Sequence, residues 1–176
     1  TAQEFRKAGL SLARDKDEEI LPPPHTLGDL ERNRMVGVVI RPGRMVTLLD
    51  VLSILSQEDR QKLLAMGSSL GSLEKESEKD EQTLPLVVFH LGDEAYGLRL
   101  EEVREVIRVG LITPVPRAPS FVDGVINLRG EVMPVVDLRT RFGLPRVAAT
   151  ALSRILICTI AGVNTGAILP RPADWA

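Results

Sequence analysis

Two stretches of the chain lie over one another without a gap: GVVIRPGRMVTLLDV (37–51) and GVINLRGEVMPVVDL (124–138). Gly37 matches Gly124, Val38 matches Val125, Gly43 matches Gly130 and Asp50 matches Asp137. Each copy reads as a strand, a tight turn with glycine, a second apolar strand and an aspartate at its end. Glycine suits a turn that needs positive φ. A carboxylate after an apolar run can accept backbone N–H groups where the strand stops. Two small β units built on one plan are therefore expected. Short strands with frequent Gly and Pro turns point to barrels rather than to a parallel sheet with crossover helices.

The 176 residues make room for one ordinary domain or two small ones. Hydrophobic residues are 44% of the chain and aromatic ones 3%, so Val, Leu and Ile must fill the core. With 24 acids against 22 bases, the formal charge is −2, which leaves no electrostatic footprint for nucleic acid and no basic membrane patch. Cys158 is the single cysteine, so an internal disulfide and a cysteine metal cluster are excluded. No apolar run reaches the ~18 residues of a membrane-spanning helix, and no signal peptide opens the chain. A cytoplasmic globular protein is the expectation.

Residues 67–83, GSSLGSLEKESEKDEQT, begin with Gly and Ser and continue in alternating charge, which reads as a flexible charged linker. Before it, Ser56 is a good helix N-cap with Asp59 three residues on, and Leu63, Leu64 and Met66 fall on one side of a short helix. After it, LVVFH is a strand, GDEAYG a turn, and LRLEEVREVIRV a strand or a short helical piece followed by a strand. ITPVPRAP must run extended at a surface or edge, and RILICTI is a buried strand by its β-branched content.

Little in the chain points to catalysis. His25 sits beside three prolines and His90 ends a strand, neither with a partner at nucleophile or metal spacing. Asp93 and Glu94 read as a solvated turn pair, and Cys158 as an inert core thiol. The glycines form no phosphate-cradling loop. Neither a catalytic residue, a metal nor a cofactor is expected, and binding is the better account.

FHLGDEAYGLRLEEVREVI, ITPVPRAPSFVDGVINLRGEVMPVVDLRTRFGLP and RILICTI together resemble the first half of a CheW-like domain, the adaptor of bacterial chemotaxis. DEEILPPPHTLGDLERNRMVGVVIRPGRMVTLLDVLSILSQEDRQKLL resembles the second half of such a domain. The halves stand in the wrong order for one domain. The resemblance thus implies residues 1–66 as the C-terminal half of one CheW-like domain and 84–176 as the N-terminal half of a second. After Gly166 the family continues with an apolar Val-Asp stretch, whereas this chain turns to AILPRPADWA, which reads as a truncated end. Alternatively the two halves complement each other and rebuild one domain in permuted order. The implied fold is all-β: two SH3-like barrels packed side by side, with one or two short helices.

The same resemblance implies a non-catalytic coupling adaptor. One surface would meet the regulatory domain of the CheA histidine kinase and another the cytoplasmic tip of a methyl-accepting chemoreceptor. The arginine of NLRG is Arg129, and the valine and glutamate of VREV are Val103 and Glu105; the family implies receptor contact for all three. Other readings stand beside these. Arg129 could be a solvated turn residue or bond a neighbouring carbonyl. Glu105 could form a surface salt bridge with Arg108, and Val103 could belong to the core. Asp137 is assigned to structure. The alternative function is a fragment of the regulatory domain of a CheA-like kinase, but neither a phosphoacceptor helix nor an ATP domain lies in these residues.

Overall fold

A computed structural model describes residues 10–13, 20–23, 33–41, 43–67 and 85–169. His25, the charged linker after Gly67 and the last seven residues lie outside them. The strands are β1 (Ser11–Ala13), β2 (Ile20–Leu21), β3 (Met35–Arg41), β4 (Arg44–Leu49), β5 (Leu86–Leu91), β6 (Glu94–Arg99), β7 (Val103–Arg108), β8 (Val122–Leu128), β9 (Glu131–Asp137), β10 (Arg154–Ile160) and β11 (Val163–Leu169). Helix α1 is Gln57–Ala65 and α2 is Leu138–Arg141, and a 3-10 turn at Leu100–Glu102 joins β6 to β7.

The fold is all-β, in two sheets. One has the order β1-β5-β6-β4-β3-β2, the other β7-β10-β11-β9-β8. The hairpin from the first part of the chain is thus a member of the sheet that holds β5 and β6. Its strand β4 lies parallel to β6, with Leu48 opposite Gly97. In the second sheet β9 lies parallel to β11, with Val135 opposite Gly166. Leu48 and Val135 are equivalent positions of the repeat, so the two hairpins of the repeat play the same part in two sheets.

The hydrogen bonds repeat as well. The Asp50 N–H donates to the Arg34 carbonyl at 2.9 Å and the Asp137 N–H to the Phe121 carbonyl at 2.7 Å. Oδ1 of Asp50 accepts from the Leu52 N–H at 3.0 Å and its Oδ2 from Ser53 Oγ at 2.8 Å. Asp137 accepts from the Arg139 N–H at 2.9 Å and from Thr140 Oγ1 at 2.8 Å. Each carboxylate therefore terminates its strand and caps the next turn, the structural role expected of Asp137. Gly37 and Gly124 share a different constraint. A Cβ would stand 2.4 Å from the Leu21 carbonyl oxygen at the first and 2.3 Å from that of Thr113 at the second. A neighbouring strand or loop crosses at that point, and only a residue without a side chain admits it.

Three apolar clusters follow from this plan. Val39, Val46 and Leu48 pack with Leu86, Val88 and Ala95 inside the first sheet. Ile126, Met133 and Val135 pack with Ile155, Ile157 and Ile168 inside the second. The third and largest lies between the sheets and draws on both segments, including Leu49, Ile54, Leu63, Phe89, Leu138 and Leu156. Ser56 and Asp59 form the expected capping box of α1, with the Asp59 N–H 3.1 Å from Ser56 Oγ and the Ser56 N–H 3.2 Å from Asp59 Oδ2. Leu63 is fully buried, and Leu64 and Met66 pack against the central cluster. The two segments are also clasped by a polar contact. Arg141 Nε donates to the Ile54 carbonyl at 2.7 Å, its Nη2 lies 3.4 Å from Asp59, and its guanidinium stands 5.2 Å from the centre of the Phe121 ring. Burial, and then repulsion from Arg34, lowers the pKa of Arg141, while Asp59 opposes both.

Candidate contact site

Strands β8 and β9 pair through Leu128 and Glu131, which leaves Arg129 and Gly130 as a two-residue turn. Their φ values are 55° and 89°. Positive φ at both central positions is the type I′ turn that matches the twist of antiparallel strands. Asn127 fastens the turn, its Oδ1 accepting the Gly130 N–H at 2.9 Å. Arg129 is therefore held in a conformation that costs a residue with a Cβ roughly 1–2 kcal/mol, although glycine or asparagine would suit the turn better.

The Arg129 side chain is 77% exposed, and its Nη2 lies 3.0 Å from Oε2 of Glu105, which is 30% exposed. Glu105 belongs to β7, at one edge of the second sheet, and the hairpin forms the other edge. The ion pair thus brings opposite edges of the sheet together. Ile107, Val109 and Ile112 pack against the cluster inside, so five strands enclose a core. The partner of Glu105 is Arg129, not Arg108, because the curl of the sheet brings the tip over β7. Arg129 binds this carboxylate, not a neighbouring carbonyl.

Val103 pairs with Cys158 and Glu105 with Ile157, so Arg104 is an extra residue in a β-bulge. Val103 is half-buried and packs against the central cluster. The structure therefore brings Arg129 and Glu105 together on the surface and turns Val103 toward the core between the sheets. Asp93 is exposed at the β5–β6 turn, while Glu94 accepts the Tyr96 hydroxyl at 2.5 Å and is not simply solvated.

Among the described residues no group of His, Cys, Asp and Glu could hold a metal ion. Burial and the nearby Arg44 charge lower the pKa of His90. Cys158 is fully buried, and desolvation, aided by Glu102, pushes its thiol up to about 12, which suits a core thiol. Glu102 was not singled out by the sequence. It sits in the 3-10 turn between the sheets, where burial raises its pKa to about 7 against an opposing hydrogen bond from the Arg99 N–H. Among the described residues no helix is long and apolar enough to cross a membrane.

Residues 85–171 match the CheW-like domain. This part of the chain is similar to the CheW-like family. The chemotaxis protein CheW of Treponema pallidum is 36% identical over 98 residues, 53% of this chain and 57% of that protein. The chemotaxis protein CheW of Rhizobium meliloti is 34% identical over 89 residues, 51% of this chain and 57% of that one. A solved structure, the scaffolding protein TtCheW from Thermoanaerobacter tengcongensis, is 44% identical with a TM-score of 0.45, covering 48% of this chain and 57% of that one. The chain spans just over half the length of the curated relatives it matches, 57% of the CheW of T. pallidum. The CheW-like match takes in Val103, Glu105 and Arg129, and leaves out the β3–β4 hairpin that completes the first sheet.

Proposed function

We infer that the chain is a non-catalytic coupling adaptor of chemotaxis, joining the cytoplasmic tip of a chemoreceptor to the regulatory domain of a CheA histidine kinase in the cytoplasm. The observation that carries this is the tip of the β8–β9 hairpin. Arg129 is held at φ 55° with its guanidinium exposed and aimed by one carboxylate. Strain kept at an exposed position, where asparagine would relieve it, is what a contact residue looks like. Glu105 orients the guanidinium from β7. Donor positions not directed at Glu105 can meet a carboxylate or helix-end carbonyl of the receptor; Val103, half-buried against the central cluster, is the third position that the resemblance gives to the receptor. The resemblance supplies the partner, and the names of the relatives speak only of chemotaxis. The same reading makes residues 1–66 and 84–176 two CheW-like halves that complete each other, which the shared sheet and central core support.

The test is Arg129→Glu. Charge reversal at a paired interface site is expected to weaken pull-down by a receptor signalling tip at least about tenfold, with little movement of the thermal midpoint, because exposed ion pairs contribute little to folding. A collapse in stability with unchanged receptor binding would show that Arg129 only holds the sheet closed.

A further inference from the structure

The turn between β10 and β11 bounds a cavity that the contact at Arg129 does not use. Ile160 pairs with Val163, which leaves Ala161 and Gly162 as the two turn residues, at φ 50° and 77°. Positive φ at both is again the type I′ turn. The Ala161 N–H donates to the Val51 carbonyl at 2.8 Å, which ties the turn to the chain just after β4. Between this turn and the start of α1 lies a cavity of about 280 Å³. Leu52, Leu55 and Ala161 give it apolar walls, and Gln57 and Arg60 bring polar groups to it. Leu55 is 5% exposed and Leu52 60%, so the apolar wall runs from the interior out to the rim. Pockets for small molecules and cofactors begin at roughly 300 Å³, and this one suits a side chain or two of a protein segment.

The half-buried guanidinium of Arg60 stands in this cavity without an acceptor. It lies against the turn, where a Cβ on Gly162 would be 3.4 Å from its Nη2. Its Nε is buried and makes no hydrogen bond, and among the described residues Arg60 enters no ion pair. The carboxylates beside it on α1 are engaged elsewhere. Glu58 holds Lys62 at 2.6 Å. Asp59 Oδ2 accepts from the Ser56 N–H and Oγ and lies 3.4 Å from Arg141. A desolvated donor without an acceptor is costly, and the open space beside this one is where an acceptor can enter.

We propose that the cavity between α1 and the β10–β11 turn holds a segment of a partner protein that presents an aliphatic side chain beside a carboxylate. The aliphatic group would cover Leu52 and Leu55, and the carboxylate would give Arg60 the acceptor that the chain itself withholds. An inorganic anion would leave the leucines uncovered. A purely apolar segment would bury the guanidinium further with no acceptor. A second copy docked cavity to cavity about a two-fold axis would set Arg60 against Arg60. The site is built from α1 and the β10–β11 turn, not from the β8–β9 hairpin, so it goes beyond the reading of Arg129 and is tested without a receptor.

The experiment titrates the full chain, labelled with nitrogen-15, with the blocked peptide acetyl-Ala-Leu-Glu-Leu-Ala-amide, and follows the backbone amides together with the Arg60 Nε–H signal. The expected result is shifts at Leu52, Leu55, Arg60, Ala161 and Gly162. Binding should weaken at least about tenfold when the glutamate of the peptide is replaced by glutamine or when Arg60→Gln is introduced, and about threefold or more with Leu52→Ser. Arg60→Gln removes no partnered group, so the thermal midpoint should not fall, which checks that the variant folds. Absent shifts at these positions would overturn the proposal, as would shifts that the glutamine peptide or the Arg60→Gln chain reproduces in full. The same shifts with inorganic phosphate at equal concentration would leave only an anion site. Concentration-dependent shifts without peptide would put a second copy in the cavity, and either result would replace the proposed occupant.

Discussion

Replacing Arg129 with asparagine separates the conformational role of the hairpin tip from its chemical one. The residue sits at φ 55°, where a side chain with a Cβ costs roughly 1–2 kcal/mol and asparagine bears the least of it. The substitution also removes the ion pair to Glu105 at 3.0 Å. With the arginine 77% exposed, such a pair contributes between about 0 and 1 kcal/mol in water. The two changes oppose each other, and relief of the turn is at least as large. Arg129→Asn is therefore expected to leave stability unchanged or to raise it by up to about 1 kcal/mol, a shift of about 2–4 °C in midpoint for a chain of this size. Urea denaturation with an unchanged m-value would read it directly. Receptor-tip binding, in the same sample, should fall as it does for Arg129→Glu. If the variant instead loses more than about 1 kcal/mol and still binds the receptor, the reasoning fails: the arginine then serves to close the sheet.

Two further substitutions address the frame around the tip. Gly124→Ala forces a Cβ to 2.3 Å from the Thr113 carbonyl oxygen and is expected to destabilise by about 2 kcal/mol or more; Gly110→Ala, with nothing within 4 Å of the added atom, is the control and should barely shift the denaturation midpoint. Glu102→Gln should change the pH dependence of stability: burial lifts the Glu102 pKa from 4.5 to about 7, so the folded state binds the proton more tightly and this contribution is lost as pH rises from about 4.5 to above 7. The wild-type midpoint should therefore decline over that window relative to the glutamine variant, and parallel curves would show that Glu102 is not protonated in the fold.

Local chemistry could be read from the chain because it acts over a few residues. The capping box of Ser56 and Asp59, the carboxylates of Asp50 and Asp137 at their strand ends, and the Arg129–Gly130 turn are satisfied by neighbours within three positions. The gapless match of 37–51 with 124–138 announced two copies of one hairpin. A second correspondence is not legible in the residues. LVVFHLGDEAYGL (86–98) and ILICTIAGVNTGA (155–167) hold equivalent places in the two sheets, so that Leu86 and Ile155, Val88 and Ile157, and Gly97 and Gly166 take the same roles. Apolar side chains substitute freely for one another inside a core, which erases the likeness in sequence and leaves it in the register of the strands.

The sequence by itself determined the all-β class, the aspartate-capped ends of the two repeated hairpins, the turn that exposes Arg129 and the burial of Cys158, but not the start of β6, since GDEAYG reads as a turn and Glu94–Gly97 is strand. Alternation, capping and turn geometry need only adjacent residues. The tertiary structure alone decided that Glu105 is the partner of Arg129, across 24 positions, since that pairing depends on how far the second sheet curls. It also decided that Arg141 clasps Ile54, 87 positions away, and that the first hairpin completes the sheet of β5 and β6. Parallel pairing of β4 with β6 depends on burying an open strand edge and an apolar face, a demand that many registers could meet on paper and that close packing of both segments around one core reduces to a single arrangement.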